Sequence, residues 1–163
     1  MILQNSVLNG CLDIVATRSR VYAQQFAIDF PARIGEIRLP LVKLSDSGKI
    51  WVEVYADEGG APGALLLKSA VIDSPRVRFM MIGNPWLSFS FPPSSRLESG
   101  AYWFGLRWSG SCIFNWYASE ANSLGHAADT RFLDKTAKRP VWENVANWDM
   151  CFQILGANLS KKD

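Results

Sequence analysis

The stretch GAYWFGLRWSG, residues 100–110, decides the fold of this chain. Large apolar side chains occupy every second position from Tyr102 to Trp108. Because successive side chains of a strand point to opposite faces of a sheet, this period of two predicts a β-strand. The dipeptide Ser109-Gly110 then supplies a tight-turn signal, so the chain is expected to turn back into a further strand.

The same alternation recurs on both sides of this stretch. Further strands are predicted over residues 22–30, 34–44, 50–56, 65–72, 77–81, 86–91, 113–117 and 148–155. Segments rich in glycine, proline and serine separate most of them, and no segment has sustained helical periodicity. The sequence therefore predicts an all-β protein, an antiparallel, jelly-roll-like β-sandwich of about eight or nine strands.

One proline falls inside a predicted strand. Pro40 interrupts the run over residues 34–44. Because proline has no N–H to donate to a ladder, this position indicates an edge strand or a bulge.

Composition indicates a single globular domain. The chain has 163 residues, of which 48% are apolar and 20% charged, enough to bury a core without disulfides. Residues 21–157 are predicted to form the sandwich, and residues 158–163 a polar tail. Residues 1–20 alternate less and are interpreted either as an N-terminal arm or as a first strand.

Charge and cysteine usage exclude several classes of protein. The net charge is +2 without a basic stripe, which argues against a nucleic-acid partner. The chain has neither a signal-peptide pattern at its start nor an apolar run long enough to span a membrane, so cytoplasmic synthesis without membrane insertion is expected. Cys11, Cys112 and Cys151 are widely spaced, which argues against a zinc site and favours buried free thiols.

The order of four motifs resembles a known domain family. An A-Q-x-F opening is followed by a D-x-x-G-x-P-G loop, an L-x-x-G-x-Y-W start of an aromatic strand, and a closing W…D-x-x-F strand. The matching residues are Ala23, Gln24 and Phe26; Asp57, Gly60, Pro62 and Gly63; Leu97, Gly100, Tyr102 and Trp103; and Trp142, Asp149 and Phe152. Over residues 21–156 the chain is similar to the jelly-roll β-sandwich domains of phage virion proteins and of bacterial surface carbohydrate-binding proteins.

This resemblance implies a role in binding or assembly. The first hypothesis is a virion structural protein, a decoration, spike or tail-associated subunit that is made in the host cytoplasm. It predicts a homo-oligomer, a trimer or a larger ring, that contacts other virion proteins and binds cell-surface polysaccharide. The alternative hypothesis is a carbohydrate-binding module of a bacterial surface or secreted protein, located outside the cell.

The aromatic residues suggest where a glycan would bind. Sugars pack their C–H faces on flat rings and use their hydroxyls to bond polar side chains at the ring edges. The residues that offer both features are Asn115, Trp116, Tyr117, Asn122, Arg131, Arg139 and Trp142. The alternative interpretation is that these rings fill the core or a subunit interface. Residues 118–147 lack clear strand patterns, and a loop of this length is expected to form a binding or assembly surface.

Catalysis and metal binding have little support. The single histidine, His126, lies near Asp129, but no serine or cysteine stands in the context of a nucleophile elbow. No enzymatic activity and no cofactor are therefore expected. Asp57 and Glu58, with the backbone of the following glycines, could hold a structural calcium ion; the alternative is an Asp/Gly turn that binds nothing.

Overall fold

The protein is described here from a computed structural model, which covers residues 3–5, 20–43, 47–76, 86–111, 113–119, 130–134, 138, 140–145 and 149–160. Fifteen strands lie within these residues: β1 Leu3–Asn5, β2 Arg20–Ile28, β3 Ala32–Lys43, β4 Lys49–Asp57, β5 Pro62–Lys68, β6 Ile72–Asp73, β7 Trp86–Ser90, β8 Arg96–Leu97, β9 Gly100–Ser109, β10 Phe114–Trp116, β11 Ala118–Ser119, β12 Thr130–Asp134, β13 Trp142–Asn144, β14 Asp149–Met150 and β15 Phe152–Asn158. A 3-10 turn, Ser74–Arg76, follows β6.

The strands form two large antiparallel sheets. The six-stranded sheet has the order β1-β15-β3-β10, with β7 and β8 also paired to β3. The seven-stranded sheet has the order β13-β12-β2-β9-β4-β5, with β6 also paired to β4. The short strands β11 and β14 form a separate pair. The fold is an antiparallel, jelly-roll-like β-sandwich, as the sequence predicts, and eight of its strands have five residues or more.

The core lies between the two sheets and contains the alternating side chains of β9. Phe104 is fully buried, with its ring centroid 5.0 Å from that of Phe152 and 5.7 Å from that of Trp116, which both belong to the opposite sheet. Trp103 points to the other face of β9 but is buried as well, against Ala23 and Tyr55. Both faces of β9 are therefore covered. The side chains that alternate along the strand belong to two separate apolar clusters, one on each face.

The prediction from Pro40 is wrong, because β3 is a central strand. Trp86 of β7 pairs with Pro40 on one side, and on the other side the N–H of Tyr117 donates to the Pro40 carbonyl at 3.2 Å. The carbonyl of Tyr117 would accept from an N–H at position 40, but it accepts instead from the N–H of Cys151 at 2.9 Å. No ladder bond is left open at this position, so a central strand tolerates the proline.

The prediction that residues 118–147 lack strands is also wrong in part. This segment contains β11, β12 and β13, and β12 pairs with β2 over five residues, from Thr130↔Gln24 to Asp134↔Arg20. Its sequence, TRFLD, alternates poorly, so its identity as a strand depends on its neighbour in the sheet. The predicted strand over residues 77–81 lies outside the described residues.

Both ends of the chain contain a strand. Leu3–Asn5 pairs with β15. Whether residues 1–20 as a whole form an arm or a first strand stays a prediction. At the other end, β15 runs to Asn158, one residue past the expected end of the sandwich.

Candidate functional site

An aromatic row crosses the outer face of the six-stranded sheet. Leu39 and Leu41 point into the core, so Pro40 between them points outward. Trp86 and Tyr117 lie directly opposite Pro40 on the two neighbouring segments, and opposite residues of an antiparallel pair share a face. These three residues, named here the Pro40 row, therefore stand side by side. Trp86 and Tyr117 are partly exposed, while Pro40 between them is buried.

A charged pair lies next to the row on the same face. Arg38 donates to Glu36 through Nε at 2.9 Å and through Nη2 at 3.2 Å, in a two-point contact. The hydrogen bond from Arg38 lowers the pKa of Glu36, so this carboxylate stays ionised at neutral pH. The pair is partly exposed. Arg38 pairs with Ser88, which lies two residues after Trp86 on the same face of β7.

An unused acceptor lies on the other side of the row. Asn115 pairs with Val42, two residues after Pro40, and so faces outward beside Tyr117. Its Oδ1 atom is buried and has no hydrogen-bond partner among the atoms that the structure describes. A buried acceptor left unpaired costs about 1–3 kcal/mol.

The Pro40 row combines the features that a sugar requires. Trp86 and Tyr117 lie on the two segments that flank β3, whose backbones are two strand spacings apart, or about 10 Å. One side of the platform ends in the guanidinium and carboxylate of Arg38 and Glu36, and the other in the amide of Asn115. Flat rings with polar groups at both edges can bind the C–H face and the hydroxyls of a pyranose at the same time.

The predicted glycan residues that the structure describes lie on two different sheets. Asn115 and Tyr117 lie together at the Pro40 row, but Trp116 between them points into the core. Its side chain is only 2% exposed and its Nε1 donates to the carbonyl of Cys151 at 2.8 Å. The ring of Trp116 therefore has no free face for a ligand, and its expected role in binding is corrected to packing.

The other predicted residues belong to the seven-stranded sheet or lie outside the described residues. Trp142 is partly exposed on β13 and packs edge-on against Tyr55, with ring centroids 6.5 Å apart. Arg131 lies on β12, opposite Asn144 of β13. Asn122 and Arg139 fall outside the described residues, as do His126 and Asp129.

A second group of aromatic and charged residues covers the outer face of the seven-stranded sheet. The carboxylate of Glu53 accepts from Trp51 Nε1 at 2.7 Å and from the hydroxyl of Tyr55, and it forms an ion pair with Arg107 at 3.3 Å. These four residues are named the Glu53 cluster. Burial, with the hydrogen bond to Glu53, raises the pKa of Tyr55. Glu53 and Tyr55 are buried, Trp51 and Arg107 are partly exposed, and the polar atoms of Glu53 already have partners within the cluster.

Sequence reasoning missed Trp86, Pro40 and Arg38. One signal was present: Trp86, Ser88 and Ser90 alternate with Leu87 and Phe89, which placed Trp86 on the polar face of its strand. Trp86 lies across from Pro40 and Tyr117 because of the register between strands, and a local sequence pattern does not predict that register.

The two acidic residues predicted for calcium close the hairpin between β4 and β5. Asp57 Oδ1 accepts from Trp103 Nε1 at 2.6 Å and from Gln25 Nε2 at 2.9 Å, and Oδ2 accepts from the N–H of Gly60 at 3.3 Å. Glu58 Oε1 accepts from the N–H of Ala64 at 3.0 Å. Within the described ranges, no three His, Cys, Asp or Glu side chains are grouped to hold a metal ion. Calcium at Asp57 and Glu58 stays a prediction.

Cys151 lies fully buried between β14 and β15. Burial, followed by the nearby carboxylate of Asp149, raises the pKa of its thiol to about 11. We expect iodoacetamide at about pH 8 to leave Cys151 unmodified in the folded protein and to modify it on unfolding. Peptide mass mapping separates this cysteine from Cys11 and Cys112; modification of Cys151 before unfolding would contradict the prediction.

The same pKa shift has a defined effect on stability. Because the folded-state pKa lies above that of the unfolded chain, the neutral thiol contributes stability below about pH 9. That contribution is lost as the pH rises through about 11.

No helix within the described part of the chain is long and apolar enough to cross a membrane.

Comparisons with known proteins add no family to this picture. A scan against protein-family models and a search of curated proteins give no match to this chain.

Proposed function

We propose that this chain is a non-enzymatic structural subunit of a phage or phage-like particle and that it attaches the particle to a host glycan. The observation that supports glycan recognition is the Pro40 row, with Trp86 and Tyr117 partly exposed around a buried proline. The motif order of the sandwich, which resembles phage virion domains, supports the particle role. The subunit is made in the host cytoplasm, assembles with other virion proteins, and needs no cofactor.

The alternative is a carbohydrate-binding module of a bacterial surface or secreted protein. It shares the Pro40 row and differs in location, outside the cell rather than on a virion. Immunogold labelling of particles purified from the source culture separates the two. Labelled particles support the subunit, while labelling confined to the bacterial surface supports the module.

Binding at the Pro40 row is tested with two aromatic substitutions. Trp86→Ala and Tyr117→Ala are each expected to weaken glycan binding at least about fivefold, because stacking contributes about 1 kcal/mol beyond area burial and 1.4 kcal/mol corresponds to tenfold. The measurement is a glycan array followed by titration calorimetry on the glycan class that binds. Running both with calcium and with a chelator also tests the predicted ion at Asp57 and Glu58.

A matched control and a polar variant sharpen this test. Trp142→Ala removes a partly exposed tryptophan from the other sheet and should leave binding unchanged. Asn115→Ala removes a buried acceptor that has no partner, so the stability of the protein should stay equal or rise. Loss of binding only in Trp142→Ala would move the site to the seven-stranded sheet, and absence of glycan binding by the unmodified protein would refute the attachment role.

A further inference from the structure

The strand β5 forms one edge of the seven-stranded sheet. Within the described residues it pairs with β4 alone. Leu65 is 53% exposed and Leu66 is 44% exposed, and Val71, just beyond the strand, is 47% exposed. Contiguous exposed apolar side chains on a strand edge mark a surface that contacts a partner.

The two ends of this edge have opposite charges. Glu58 lies along the start of β5, where its carboxylate accepts from the N–H of Ala64 at 3.0 Å. Its side chain also occupies the space that a Cβ at Gly63 would fill, so glycine there allows the carboxylate to lie against the strand. Lys68 is the last residue of β5, and its ammonium lies 4.6 Å from the ring centroid of Trp51. The edge is thus acidic at one end, basic at the other, and apolar in the middle.

We propose that a second copy of this chain docks on this edge, with the two β5 strands antiparallel across a two-fold axis. An isologous contact requires a self-complementary surface. With Leu66 opposite Leu66 of the other copy, residue 68 of one strand falls opposite residue 64 of the other. Each Lys68 then meets the Glu58 carboxylate that is bound at Ala64, and Leu65 and Leu66 of each copy lie between the two ion pairs.

Side chains rather than a long ladder carry this contact. The pairing of β4 with β5 shifts register between Val54 and Tyr55 and again between Tyr55 and Asp57, so β5 contains bulges. Bulges interrupt the regular backbone groups that strand addition would need. The apolar pairs and the two ion pairs therefore provide the affinity and fix the orientation.

The proposed dimer has a consequence for attachment. It leaves the Pro40 row uncovered, because that row lies on the outer face of the other sheet. Two rows on one dimer would bind a polymeric glycan bivalently and so more tightly than either row alone. The inference rests on the proposed particle role, because a subunit of a particle contacts copies of itself.

The experiment is sedimentation velocity over a range of concentrations on the full chain. Glu58→Lys and Lys68→Glu are each expected to raise the dimer Kd about tenfold, because each places like charges together, and the double variant should restore dimerisation. Leu66→Lys should abolish the dimer. Val141→Lys, which adds the same charge at a valine 61% exposed elsewhere, should leave it intact. Circular dichroism checks that each variant is folded.

Three outcomes would overturn the inference: a monomer at every concentration, dimers unaffected by Leu66→Lys, or a double variant that stays as weak as the single ones. Its failure is distinguishable from failure of the proposed function. If dimers persist in Leu66→Lys and particles are still labelled, the subunit assembles through another surface. If particles are unlabelled while the charge swap restores dimers, the interface stands without the virion.

Discussion

Phe104→Ala is expected to lower the free energy of unfolding by about 3–5 kcal/mol, the range for removing a buried aromatic ring. The ring of Phe104 lies between the two sheets, where its centroid is 5.0 Å from that of Phe152, 5.7 Å from that of Trp116 and 5.8 Å from that of Phe26. Alanine would leave a cavity that the flanking rings, held on separate strands, cannot close. Urea unfolding followed by tryptophan fluorescence measures the loss.

The control is a substitution of the same type at the surface. Val141→Ala should change the free energy of unfolding by less than about 0.5 kcal/mol, because its side chain is 61% exposed. A loss below about 1 kcal/mol in Phe104→Ala would contradict the packing of the two sheets around this ring. Phe104→Leu should fall between the two, since it retains most of the apolar contact.

Glu53→Ala is expected to lower the free energy of unfolding by about 3 kcal/mol. The carboxylate accepts from Trp51 Nε1 and from the Tyr55 hydroxyl, and it neutralises Arg107 at 3.3 Å. Alanine would leave these three donors without their acceptor, on a face where Tyr55 is buried. The loss is therefore larger than for an exposed ion pair, which contributes about 0–1 kcal/mol. Thermal and urea unfolding provide the measurement.

A spectroscopic readout separates this cause from a general loss of packing. Burial and the hydrogen bond to Glu53 raise the pKa of Tyr55, while Arg107 lowers it. Without Glu53, one tyrosine should ionise at lower pH in an absorbance titration at alkaline pH. Because the folded-state pKa is raised, the neutral phenol contributes stability below the unfolded pKa of about 10 and loses it as the pH rises. An unchanged titration in Glu53→Ala would show that the carboxylate does not hold this hydroxyl.

Only part of the candidate site could be predicted from the sequence: Asn115 and Tyr117 were named, while Trp86, Pro40 and Arg38 were not. The alternation of Asn115, Trp116 and Tyr117 placed the outer two on one face and the tryptophan on the other. It did not show which face meets the opposite sheet, so Trp116 was counted as a ligand contact although its ring packs 5.7 Å from that of Phe104. Trp86 is 31 positions before Tyr117, and only their common pairing with Pro40 brings the two rings to one row.

The amino-acid sequence by itself determined the all-β class, the positions of most long strands and which side chains of a strand share a face. These are local properties, because backbone sterics and burial of one face require only neighbouring residues along the chain. The tertiary structure decided the register between strands, the central position of β3 despite its proline, and the strand at Thr130–Asp134. These depend on residues far apart in sequence, whose pairing is settled only when both sheets bury their apolar faces together.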